Sequence, residues 1–116
     1  MRGGVGHRES RAREALARGR YIRVSVNPPV YIYLGVSGDY VLIDRIYCSC
    51  KSFSSSLPSG APGCKHLWGL EYAEREGRVS DCTLDPRELS QAVMETSIAG
   101  LASTLRSKLE SCIGSE

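Results

Sequence analysis

Cys48-Ser49-Cys50 and Cys64-Lys65-His66 are two pairs of metal-seeking side chains separated by thirteen residues, a C-x-C then C-x-H pattern that supplies three sulfurs and one nitrogen. That is a complete ligand set for a closed tetrahedral zinc site, with Zn–S bonds of about 2.3 Å. Residues two apart in an extended chain point to the same side with backbones about 6.6 Å apart, so the Cys48 and Cys50 sulfurs can lean in to the tetrahedron's edge of about 3.7 Å. At the opening of a helix, unpaired N–H groups and the positive end of the helix dipole favour a thiolate, here Cys64, and His66 would project from the first turn. Three thiolates around one divalent ion leave a net charge of about −1, which Lys51 and Lys65, each beside a ligand, partly offset. Four protein ligands leave no position for a substrate, so the expected zinc, one per chain, is structural. Binding also closes the intervening segment, which couples it to folding.

Other chemistry is thin. Cys64 and His66 could act as thiol nucleophile and base, or the thiols could serve redox exchange. Cys48 and Cys50 beside them fit a metal better, however, and no paired carboxylates or phosphate-cradling glycine loop accompanies them. Gly3-Gly4-Val5-Gly6 precedes no strand-to-helix unit. The chain is therefore expected not to be an enzyme and to take no small-molecule substrate. Cys82 and Cys112 remain, and core packing is expected of them rather than a disulfide.

The elements that must position the ligands follow from patterning. Residues 1–7 read as a flexible tail. Residues 8–18 read as a short basic helix with a thin stripe of Ala12, Ala15 and Leu16, ended by Gly19. Arg20 to Val26 alternates, with Ile22, Val24 and Val26 on one face and Tyr21, Arg23 and Ser25 on the other. Val30 to Val36 alternates again, Ser37-Gly38-Asp39 turns, and Tyr40 to Tyr47 runs into Cys48, so a three-stranded antiparallel sheet is predicted. Residues 51–63, rich in Ser, Pro and Gly, read as an extended loop, and residues 65–76 as a helix capped by Gly77. Asp85-Pro86-Arg87-Glu88 is a helix start of the capping-box type. The apolar spacing from Leu89 to Cys112 predicts one long helix of about 40 Å, with Gly100 marking a break or a close approach. The whole is α+β: a basic helix and first strand (8–29), a zinc finger (30–77) and a C-terminal helical segment (78–116).

The order C-x-C…C-x-H, preceded by a β-hairpin and followed by a helix, resembles the SWIM zinc finger over roughly residues 30–76, with Cys48, Cys50, Cys64 and His66 on its four ligand positions. SWIM domains bind DNA or proteins, and a chain this short is most similar to the small SWIM proteins of the Shu-complex type. The resemblance implies a ββα-type zinc site and an accessory role in homologous recombination and DNA repair, with a RecA-family recombinase paralogue as partner. That subfamily carries Ala three residues after the His, where this chain has Gly69.

The chain has 116 residues with 15 Lys and Arg against 13 Asp and Glu, ordinary globular composition for one domain. No apolar stretch approaches the roughly 20 residues of a membrane span, and the Arg-rich N-terminus has no signal-like core, so an intracellular protein is expected. Charge is unevenly spread: ten basic against four acidic side chains over residues 1–68 (+6), and five against nine over 69–116 (−4). Two interaction surfaces follow. Arg8, Arg11, Arg13, Arg18, Arg20 and Arg23 could contact nucleic-acid phosphates, with Tyr31 or Tyr33 as a stacking face. Leu101, Leu105 and Leu109 could anchor a protein partner, or the helix that carries them could fold back over the sheet.

Overall fold

Alternation of Tyr with Ile, Val and Leu along two strands sets the architecture, because it gives the sheet two faces that both need covering. The computed structural model describes residues 3–60 and 63–114. The elements are α1 (Gly3–Arg18), β1 (Gly19–Ser25), β2 (Val30–Gly35), β3 (Asp39–Ile43), β4 (Tyr47–Cys48), α2 (Lys51–Ser56), a 3-10 turn (Leu57–Ser59), α3 (Lys65–Arg75), β5 (Val79–Asp81), α4 (Pro86–Ala99) and α5 (Arg106–Gly114). The sheet order is β4-β3-β2-β1-β5, with β5 parallel to β1 and the other pairs antiparallel. Tyr21, Tyr31, Tyr33 and Leu42 face a core shared with Ala15, Leu16, Phe53, Leu70 and Ala73 of α1, α2 and α3. Ile22, Val24, Ile32, Leu34 and Val41 face a second core completed by Leu84, Ala92, Ala102 and Leu109. Side chains such as Ile22, Ile32 and Leu109, each without exposed surface, contribute about 2–3 kcal/mol apiece.

The predicted three-stranded sheet is corrected to five strands. The third strand does not run straight to Tyr47. It ends at Ile43, turns through Arg45 at a φ of 64°, with Ile46 N–H donating to the Ile43 carbonyl, and returns as β4. Burial of Cys48 opposite Leu42 holds this turn. At the other edge, β5 is a strand only through its parallel pairing of Tyr21 to Arg23 with Val79 to Asp81.

Residues 51–63 are not wholly extended. Cys50 Sγ accepts from Phe53 N–H at 3.4 Å, α2 forms behind it, and Phe53 is buried in edge contact with Tyr47. Ser56 Oγ donates to the Phe53 carbonyl and accepts from Gly63 N–H, so the segment supplies its own polar partners. One buried aromatic ring and fixed ends override the weak helix propensity of serine.

The single long C-terminal helix is corrected to two. The capping box forms as read, Asp85 accepting from Glu88 N–H and Glu88 from Asp85 N–H. Gly100, at a φ of 75°, then ends α4, and α5 folds back so that Lys108 pairs with Glu88 at 2.8 Å. Asp39 receives this break. Fully buried, its carboxylate accepts from Ala102 N–H at 2.9 Å and from Arg106 Nη1 at 2.6 and 2.8 Å, while its own N–H donates to the Gly100 carbonyl. Cys82 and Cys112, expected to be packed thiols, form a disulfide that ties the chain after β5 to α5, with Cα atoms 5.7 Å apart.

Helices α1 and α3 are at the predicted places, α1 beginning at Gly3, within the stretch read as a tail. They approach closely through Ala12, Ala15, Gly69 and Ala73. A Cβ on Gly69 would lie 2.5 Å from Tyr21 Oη and 3.1 Å from Ala15 Cβ, so the packing here leaves no room for a side chain. Gly69→Ala is therefore expected to destabilise by about 2–3 kcal/mol in thermal melts. Adding Tyr21→Phe, which removes the clashing oxygen, should restore part of it. An unchanged melt for Gly69→Ala would contradict the close approach. Among the described residues, no helix is long and apolar enough to cross a membrane.

Candidate metal centre

The four sequence-predicted ligands come together. Cys48 closes β4, Cys50 caps α2, Cys64 caps α3 and His66 lies in the first turn of α3, so a strand end and two helix starts deliver the donors to one point. Their donor atoms lie within 4.8 Å of one another, and His66 Nδ1 is 3.9 Å from both Cys48 Sγ and Cys64 Sγ. All four side chains are buried. The residues present can hold one metal ion.

The sheet orients the histidine. Tyr21 donates its hydroxyl to the His66 carbonyl at 2.6 Å, which fixes the first turn of α3. The His66 ring packs against Tyr40 and Tyr33, with centroids 4.5 and 4.8 Å away, and Tyr33 donates to the Ala15 carbonyl of α1 at 2.7 Å. Burial pushes the Tyr33 phenol up to about 12 and that of Tyr21 further still, so both stay neutral donors. A Cβ on Gly19 would lie 2.4 Å from Tyr33, so the glycine clears room for that ring. On the other side of the site, Ser49 is locked to β3, its N–H donating to the Val41 carbonyl and its Oγ accepting from Val41 N–H.

The three sulfurs share protons. The Cys48 and Cys64 thiols hydrogen-bond Cys50 and, with Phe53 N–H, pull its thiol well below the ordinary range. Donating to Cys50 and to Cys64, and burial, push Cys48 up. At Cys64, the bond with Cys48 pulls down but the bond with Cys50 and burial outweigh it, and its thiol is raised to about 11. Three buried sulfurs that cannot all ionise alone form a donor set suited to a cation that takes the place of the shared protons.

The other predicted surfaces fare unevenly. Arg13 pairs with Glu76 at 3.2 Å and lies over Tyr72, Arg23 pairs with Asp81 at 2.7 Å, and Arg11 lies 3.7 Å from Glu14. Arg8 stacks on Trp68. Arg18 and Arg20 are exposed, and neither forms an ion pair among the described residues. Tyr31 and Tyr33 are each 3% exposed and cannot serve as open stacking faces. Leu109 is fully buried and Leu105 packs on the same core, so neither is a free anchor, and Leu101 alone of the three is exposed. Tyr21, Tyr40 and Gly69, which frame the site, were not signalled by ligand spacing. Their role depends on cross-strand register, with Tyr33 opposite both Tyr21 and Tyr40. No protein family, no curated protein and no solved structure matches the chain.

Proposed function

We propose that the ion is zinc and that the chain is a non-enzymatic SWIM-type interaction module, an accessory factor in DNA recombination and repair that docks on a RecA-family recombinase-like partner. One observation carries the reading: a buried set of three sulfurs and one nitrogen at the junction of sheet and helix, with Nδ1-to-sulfur distances of 3.9 Å, near the edges of a zinc tetrahedron. With every position filled by protein, such an ion organises β4, α2 and α3 and leaves the surfaces to act. Met94, Ile98 and Leu101, at 57, 80 and 49% exposure, lie at helical spacing along and just past α4 and offer an apolar strip for the partner. Calorimetric titration of the zinc-loaded protein with a purified recombinase-type ATPase from the same source should show saturable binding. Ile98→Asp should weaken it about thirtyfold, the loss of one apolar anchor, without moving the thermal melt. Absence of binding by the zinc-loaded chain would overturn the partner reading.

A second reading, direct contact with DNA, is favoured by Arg18 and Arg20, which are exposed and form no ion pair among the described residues.

A further inference from the structure

Two cavities of about 410 Å³ each, the first beside the candidate metal centre and the second adjoining the first, are within the size range of ligand pockets. The first is lined by Arg11 and Arg18 of α1 with Lys51 and Lys65, which adjoin the ligands Cys50 and Cys64, and its floor includes Cys50, His66 and Tyr40. The second is lined by Arg18, Arg20, Arg78 and Arg106 and, among the described residues, by no carboxylate. Arg18, Gly35 and Val36 border both, so the two cavities meet along the end of β2.

Among the described residues, seven cationic side chains thus face one continuous depression against a single carboxylate, Glu14, which sits 3.3 Å from Lys65 and 3.7 Å from Arg11. Arg78 and Arg106 are partly neutralised by Glu76, Asp39 and Glu110. Arg18, Arg20 and Lys51 form no ion pair among the described residues, and Arg11 Nε is buried without a hydrogen-bond acceptor. A loaded metal centre adds about −1 to the first cavity wall and leaves the depression strongly positive. Guanidinium forks on facing elements match phosphate oxygens better than a lone carboxylate.

We propose that the two cavities joined at Arg18 form one track for successive phosphate groups, occupied by the backbone of a polynucleotide strand. The strand rests on the second reading above, whereas the phosphate chemistry does not. Four of the seven cations, Lys51, Lys65, Arg78 and Arg106, lie outside the N-terminal arginine cluster and join the track only through the fold.

The test uses zinc-loaded full chain at low salt with two probes: a labelled oligothymidylate of about a dozen nucleotides, read by anisotropy over a salt series, and inorganic tripolyphosphate, read by amide shifts. The strand should bind, with shifts centred on Arg18, Ser37 and Ser52. The exposed triple variant Arg18→Gln, Arg20→Gln, Lys51→Gln should lose at least tenfold in affinity and about two units of salt slope, at roughly 0.7 for each phosphate no longer neutralised. Arg45→Gln with Arg87→Gln, which line neither cavity, should change neither. Strand binding that survives the triple variant would overturn the track while leaving the DNA reading in place. Tripolyphosphate bound at these residues without strand binding would keep the phosphate site, assign it to a free phosphate compound and remove the DNA reading. No shift with either probe would sink both. Ile98→Asp should bind the strand normally, which separates this surface from the partner strip.

Discussion

Removing the metal with a chelator is expected to lower the melting temperature by about 15 °C or more and to release β4, α2 and the first turn of α3, while β1 to β3 and α4 keep their amide protection. Structural zinc sites in small modules supply roughly 10–16 kcal/mol of binding free energy, comparable with the whole stability of a domain of this size. Three of the buried residues in the first core are themselves the candidate cysteine ligands, and the described residues between Cys50 and Cys64 contribute one buried apolar side chain, Phe53. Without the ion, the four donors lose their common partner, and the segment's ends are left to the hydrogen bonds of Ser49 with Val41, Tyr21 with His66 and Gly63 with Ser56. Cys48→Ser should reproduce the chelated state even with excess zinc. The second core contains none of these ligands, and hydrogen exchange should show it holding. Exchange that rises uniformly over both cores would contradict this division.

Asp39→Ala should be the most damaging single change away from the metal, costing about 3–5 kcal/mol in denaturant unfolding. The carboxylate is fully buried and accepts from Gly35 N–H, Ala102 N–H and Arg106. Truncation strands those donors around a void, and breaking a buried pair on one side costs far more than the pair contributes net. Asp39→Asn keeps the shape and some acceptors and should cost roughly half as much. Because Asp39 joins the β2–β3 turn to the link between α4 and α5, the loss should appear first as exchange in α5. A cost below about 1 kcal/mol for Asp39→Ala would show that the break at Gly100 is held by other contacts.

What the residue pattern made legible was local. The ligand set needs only spacings of two, and the alternation of β1 and β2, the Asp85 capping box and the Gly77 stop are each written within a few residues. What it hid depends on partners distant in sequence. Asp39 reads as a turn residue after Ser37-Gly38, and only the fold brings Ala102 and Arg106 to it. Leu89 to Cys112 keeps a helical apolar rhythm across Gly100 because α4 and α5 both face the second core, so periodicity alone cannot show the reversal between them. Tyr21, Tyr31 and Tyr33 suggested a wet face. Instead, their rings are buried and their hydroxyls find the carbonyls of His66 and Ala15 and the carboxylate of Glu74. The Cys82–Cys112 pairing spans thirty positions and rests on the return of α5 to β5. The fold class and the metal ligands were within reach of the pattern. The second layer of helices and the tyrosine frame that orients His66 were not.

Zinc-edge X-ray absorption of the protein purified without added metal addresses the central claim most directly. The proposed centre predicts one zinc per chain with three sulfurs at about 2.3 Å and one nitrogen at about 2.0 Å, and no retained zinc in Cys48→Ser. An oxygen-rich shell, or a well-folded chain that retains no metal, would contradict it.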